Sequence, residues 1–198
     1  MKRIVLILSV LTFLFAACEK EEPENITNEA EYFPNTVNSY WKYERVDSLD
    51  NTTDTVTVTI TGDTLVSNDS YKIWEYDYGS RVETMYVLQS NDSIIFYRSH
   101  FDWIDCLYIT PFELGLGWKN PPFQPDSSFV SSVEDFAIDG RLYQDVVLIE
   151  RNAHGFNSFL KEKIRIKPGV GLVKLEREQY VFGSYVYEFW KLIESHTP

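Results

Sequence analysis

The most regular stretch of the chain runs from Thr55 to Thr61, where Val56, Val58 and Ile60 alternate with threonines. A period of two with β-branched residues on both faces predicts a half-buried strand. Similar runs recur at intervals of roughly ten residues, as in an antiparallel meander. Tyr40 to Val46 sets Trp41 and Tyr43 on one face, and Tyr71 to Tyr78 sets Trp74, Tyr76 and Tyr78 against Tyr71 and Ile73. Val82 to Gln89 and Ile94 to Ser99 come next. Turn formers separate these runs: Asp50-Asn51, Gly62-Asp63 and Asn68-Asp69 around the short run Thr64 to Ser67, then Gly79-Ser80 and Asn91-Asp92.

Past His100 the pattern loosens. Cys106 to Ile109 is able to pair as a strand, but Pro111, Gly115, Gly117, Pro121, Pro122 and Pro125 punctuate the chain beyond it, and Gly115 to Ser128 reads as the longest loop. Order returns with Phe129 to Ile138, Leu142 to Asn152 and Phe159 to Ile166, separated by turns at Gly140 and His154-Gly155. Val170 to Glu178 and Tyr180 to Ile193 form a last, less clearly divided pair. No helical stripe and no internal repeat occur beyond the N-terminus. About ten or eleven strands between Tyr32 and Pro198 predict an all-β domain. Its expected form is an antiparallel meander curled into an open or closed barrel, lipocalin-like or similar, with a β-sandwich as the alternative.

The first 31 residues belong to a different kind of chain. Lys2 and Arg3 precede an apolar run, Ile4 to Ala17, which at 14 residues is too short for the ~20 residues that span ~30 Å of hydrocarbon. It has the layout of a secretory signal peptide. The string Leu14-Phe15-Ala16-Ala17-Cys18 resembles a bacterial lipobox. That resemblance implies cleavage before Cys18, with diacylation of its thiol. Two or more acyl chains hold a protein stably on a membrane, so the membrane is an expected partner, reached through the lipid on Cys18 alone. Glu19 to Glu31 carries six glutamates and Pro23; it has too little apolar surface to order itself and reads as a tether with a root-mean-square span of ~20 Å. Lys20-Glu21-Glu22 resembles the surface-export signal of Bacteroidota lipoproteins. The expected organisation is therefore 1–17 signal, 18–31 lipidated cysteine and tether, and 32–198 one β-domain. The expected location is the outer membrane, at the cell surface or on its periplasmic face.

Charge narrows the partners. With 18 basic and 30 acidic residues the chain carries −12, and −14 once Lys2 and Arg3 are removed. Such a polyanion repels nucleic acid and anionic headgroups. With Cys18 acylated, Cys106 stands alone and an intramolecular disulfide is excluded.

Three elements of the domain resemble a group of secreted lipoproteins common in Bacteroidota: Tyr32-Phe33-Pro34, Trp41-Lys42-Tyr43, and Gly169-Val170-Gly171-Leu172-Val173-Lys174, with Gly117-Trp118 a looser match. The resemblance implies a β-rich fold with Trp41 and the two glycines as framework, and implies no activity. Gly169 and Gly171 at a strand start also suit positive φ or close backbone approach.

Chemistry is sparse. His100, Asp102, Asp105 and Cys106 form the one dense reactive cluster, but no CxxC or HExxH spacing, nucleophile elbow or phosphate loop is present. No Asp-x-Asp-x-Asp loop supports calcium. No catalytic residue, metal site or cofactor is expected. Asp-Ser/Thr-aliphatic triplets at Ser48, Thr55, Thr64 and Ser93 resemble the O-glycosylation motif of Bacteroidota secreted proteins, although turns leading into strands produce the same triplets. Strand aromatics are expected in the core, whereas Trp103, Trp118 and Phe123 in the loosest segment are candidate ligand contacts. These features together suggest a non-catalytic, lipid-anchored β-domain that binds a glycan, a lipid or a partner protein of the envelope. An assembly subunit of an envelope complex is the alternative, and a hydrolase is the weakest reading.

Overall fold

The computed structural model describes residues 31–49, 51–98, 103–119 and 126–198, apart from the side chains of 103–106 and 181. One antiparallel sheet of twelve strands curls into a nearly closed barrel: β1 (Tyr40–Asp47), β2 (Thr52–Val66), β3 (Asp69–Asp77), β4 (Val82–Gln89), β5 (Ser93–Arg98), β6 (Trp103–Ile109), β7 (Gly117–Lys119), β8 (Asp126–Ile138), β9 (Arg141–Gly155), β10 (Ser158–Lys167), β11 (Gly171–Val181) and β12 (Ser184–His196). The order around the sheet is β6-β5-β4-β3-β2-β1-β12-β11-β10-β9-β8-β7. A single sheet replaces the sandwich alternative.

Two boundaries differ from the sequence expectation. Gly62-Asp63 does not turn the chain: a register shift between Ile60 and Gly62 lets β2 run through to Val66 as one strand of 15 residues. A bulge absorbs the extra residue without ending the ladder. The expected long loop is shorter than its glycines and prolines suggest, because Gly117–Lys119 pairs with Ser127–Phe129 and β8 starts at Asp126.

Alternation sorts the side chains. Trp41 and Tyr43 on β1, Val56, Val58 and Ile60 on β2, and Trp190 and Leu192 on β12 all point into the core. The outer wall of β10 and β11 carries Lys161, Lys163, Lys174, Glu176 and Glu178. An apolar inside with a charged outside is the reverse of a membrane-spanning barrel, so this wall is built for water.

One end of the barrel is closed by the residues of the three sequence elements. Phe33 packs edge-on against Trp74 and Phe96, with centroids at 5.6 and 6.0 Å. Trp41 stacks on Trp74 at 4.8 Å, and its indole N–H donates to the Val170 carbonyl. The Tyr43 hydroxyl donates to the Leu172 carbonyl at 3.2 Å. Gly171, at φ +96°, lies under Phe33, so that a Cβ there would come within 2.7 Å of the ring. The backbone N–H of Gly169 donates to Glu31 O, fixing the point where the chain enters. Tyr32-Phe33-Pro34, Trp41-Lys42-Tyr43 and the glycine element thus form a single floor.

Trp118 helps to close the barrel seam. Its indole N–H donates to Leu107 O at 2.8 Å across the two free edges, β6 and β7, while its ring stacks on Phe112 at 6.3 Å. Phe112 in turn donates its backbone N–H to the Tyr32 hydroxyl at 2.8 Å.

Candidate functional site

Above the floor, the barrel encloses a cavity of about 680 Å³. Small-molecule sites generally fall between about 300 and 1,000 Å³. The lower walls are aromatic and apolar, with Trp74, Phe96, Tyr76, Met85, Tyr108 and Trp190 facing the space. Tyr78 stands higher, with the Arg45 and Arg81 guanidiniums 5.5 and 4.8 Å from its ring centre.

Near the open end, charge replaces the apolar rows. On each of six neighbouring strands a charged residue follows the inward-facing apolar positions in phase: Arg45 after Tyr43, Glu188 before Trp190, Arg177 after Leu175, Glu162 before Ile164, Arg151 after Ile149, and Asp126 before Val130. Strand order brings them into one line. The Arg45 Nε–H donates to Glu188 Oε1 at 2.7 Å, and Arg177 Nη1 donates to Glu188 Oε2 at 2.7 Å. Arg177 Nε donates to Glu162 Oε1 at 2.6 Å, and Arg151 Nη1 donates to Glu162 Oε2 at 3.3 Å. Arg151 then grips Asp126 with two nitrogens, at 2.6 and 3.2 Å. Arg45 closes the other end on Asp47 and Asp54. Signs alternate at every step, so each member lies next to an opposite charge, on the neighbouring strand in every case but Asp47, which shares β1 with Arg45.

This belt is buried. Asp126 is 2% exposed and Glu162 4%, whereas the Arg177 side chain keeps 36% of its surface open and lines the cavity. Burial by itself would lower the Arg177 pKa, but Glu162 and Glu188 outweigh it and hold the guanidinium firmly charged. Burial would likewise raise Glu188, yet Arg177, with the hydrogen bond from Arg45, keeps its carboxyl below the ordinary value of 4.5. A depressed carboxyl contributes stability that is complete above its unfolded pKa and is lost as pH falls through the lower folded value. The melting temperature is therefore expected to fall on acidification below about pH 4.5. In Glu188→Gln that acid limb should be flatter. An identical limb in both proteins, followed by circular dichroism against pH, would contradict the assignment.

Tyrosines of the wall are held protonated. Burial, with Glu83 and Glu188, pushes the Tyr78 hydroxyl up to about 12. Burial also holds the Tyr43 hydroxyl well above 10. These groups serve as hydrogen-bonding phenols at neutral pH and are poor proton acceptors for catalysis.

The sequence candidates are distributed elsewhere. Trp118 is used at the seam; of Trp103 the structure describes the backbone in β6, and Phe123 lies outside the described residues. Cys18, Lys20, Glu21, Glu22, His100 and Asp102 also lie outside them, and Asp105 and Cys106 are described only as backbone in β6. Among the described residues no three His, Cys, Asp or Glu side chains are grouped to hold a metal.

Each aspartate of the four triplets has a structural partner. Asp47 and Asp54 bind Arg45, Asp63 pairs with Lys72 at 2.6 Å, and Asp92 accepts from Ser90 and Ser93 in the β4–β5 turn. Of the hydroxyls, Thr55 is exposed on the outer wall, Ser48 is exposed but accepts from Tyr187 N, and Thr64 and Ser93 are half-buried.

No protein-family model matches the chain, and no curated protein sequence matches it. Solved structures are similar, two crystal structures among them. A candidate lipoprotein from Parabacteroides distasonis superposes with a TM-score of 0.50 at 11% identity, over 84% of this chain and 99% of that one. A candidate exported protein with a YmcC-like fold from Bacteroides fragilis gives 0.50 at 12% identity, over 85% and 100%. At such identity the likeness is one of fold.

Proposed function

We propose that this chain is a lipid-anchored lipoprotein of the cell envelope, held in the outer membrane through Cys18 and displayed at the surface by Lys20-Glu21-Glu22. In this reading its barrel is a non-catalytic receptor for a small envelope ligand. The cavity carries the proposal: unfilled space of about 680 Å³, walled by aromatic rings and edged along one arc by fixed charge, is the usual form of a small-molecule site. That form suits an apolar-bodied ligand better than a glycan chain or a protein surface. The fold shared with a candidate lipoprotein and a candidate exported protein supports the envelope setting.

The test uses protein purified from its native membrane. Extraction and mass spectrometry are expected to find a small molecule with the wild type and to lose it with Met85→Trp, in which an indole projects into the cavity opposite Trp74. A wild type that is repeatedly ligand-free would overturn the receptor reading. Intact mass of the same preparation reads the anchor: acyl groups on Cys18 are expected, with glycan, if added, first at Thr55. An unprocessed N-terminus would remove the lipoprotein assignment.

A further inference from the structure

The cavity is graded along its depth, and the grading selects a ligand. At the floor stand Phe33, Trp74 and Phe96, with Val58 and Leu172 beside them; at the mouth stand Asp126, Arg151, Glu162 and Arg177. A ligand apolar at one end and polar at the other matches this order, since apolar surface gains by leaving water and polar groups lose unless they are hydrogen-bonded. At about 30 Å³ for each water-sized group, 680 Å³ holds roughly 20 such groups. That accommodates one long chain with a compact head and is too small to hold two long chains at once.

The belt decides the charge of the head. Glu162 is bound by Arg151 and Arg177, and Glu188 by Arg45 and Arg177. Both Asp126 and Glu162 hold Arg151. The four belt residues that line the cavity, Asp126, Arg151, Glu162 and Arg177, are two of each sign and paired with one another. A head with one net charge would therefore have to displace a partner that already neutralises its counterpart, and breaking a buried pair is costly. A hydroxyl-rich or zwitterionic head avoids that cost, because alternating cations and anions offer it donors and acceptors side by side. The lip of the cavity is also suited to a passing chain. Phe156 and Phe182 on adjacent hairpin tips are 87% and 79% exposed, and the Phe182 N–H donates to Asn157 O. Phe182 keeps its ring there at φ +46°, a conformation disfavoured for a bulky side chain.

We infer that the barrel binds a single-chain amphiphile with its tail on the aromatic floor and an uncharged or zwitterionic head against the Arg–Glu belt. This rests on the receptor reading above. The mature chain carrying Cys18→Ser, which leaves the barrel residues unchanged, is titrated with four probes of equal chain length below their micelle concentrations. These are a monoacylglycerol, a lysophosphatidylcholine, a fatty-acid anion and an alkyltrimethylammonium, followed by the fluorescence of Trp74 and Trp190. The first two are expected to bind about tenfold tighter than the last two. Glu162→Gln, which leaves the cavity-lining part of the belt with Arg151 and Arg177 against Asp126 alone, is expected to raise affinity for the fatty acid about tenfold. A fatty acid or ammonium binding the wild type as tightly as the neutral probes overturns the head assignment and leaves the receptor reading standing. Failure of all four, with a flat aromatic dye binding instead, overturns the tail-down orientation. Equal binding of the probes to the wild type and to Met85→Trp overturns the receptor reading itself.

Discussion

Replacing Glu162 with leucine is expected to cost about 3–5 kcal/mol, the range for removing one partner of a buried ion pair. The carboxylate is 4% exposed and receives a guanidinium on each oxygen. Leucine leaves Arg151 and Arg177 facing each other with their mutual repulsion unscreened. For a domain of this size each kcal/mol lowers the melting temperature by about 2–4 °C, so a fall of roughly 6–20 °C should be seen. Asp139→Asn is the matched control. Asp139 pairs with Lys191 at 2.9 Å on the outside, with its own side chain 62% exposed. Exposed pairs contribute about 0–1 kcal/mol, and asparagine tolerates the positive φ of that turn. Urea unfolding of the two variants should separate them clearly; equal costs would mean that the belt is no better shielded than the surface.

Gly171→Ala should be the most damaging change at the floor. Two penalties coincide: a left-handed backbone at φ +96°, and a Cβ 2.7 Å from Phe33 Cδ1 and 3.3 Å from Trp41 Nε1. The backbone term is about 1–2 kcal/mol, and overpacking adds about 1–3, giving roughly 2–5 kcal/mol. Gly169→Ala isolates the first term, because Gly169 has φ +77° with nothing within 4 Å of its Cβ. Its expected cost is about 1–2 kcal/mol. If denaturant midpoints fall equally in both variants, the Phe33 contact is not tight.

How much of this is legible in the residues depends on how far apart the interacting partners lie. Val56, Val58 and Ile60 announce their strand because alternation is local. Gly169 and Gly171 announce a special backbone because few other residues take those angles cheaply, and both do have positive φ. The belt is different: Arg45 and Glu188 lie 143 residues apart, and in isolation each looks like a solvated charge. Its signal is phase. Arg177 falls on the same parity as Val173 and Leu175, and Glu162 on that of Ile164 and Ile166. A charge in step with the buried face calls for a buried counter-charge. Asp47 and Asp54 read only as parts of triplets because their partner, Arg45, looks equally ordinary. Trp118 reads as part of a loop since a strand of three residues, Gly117–Lys119, shows no alternation. The aromatic rings of the cavity wall read as filled core, because sequence marks which residues turn inward and not whether their volumes fill the space.

The belt ties β8, β9, β10, β11, β12 and β1 to one another, reaching β2 through Asp54. Among the described residues no ion-pair chain of that length crosses β3 to β6, where Glu83 meets Arg98 across the sheet at 3.8 Å. The barrel therefore behaves like a hoop riveted along one arc and only laced along the other. Its breathing should be lopsided: the mouth widens by outward swing of the β4–β5 side, while the riveted arc holds its curvature. Amide exchange at the open end should be fastest in β4 and β5 and slowest in β10 and β11.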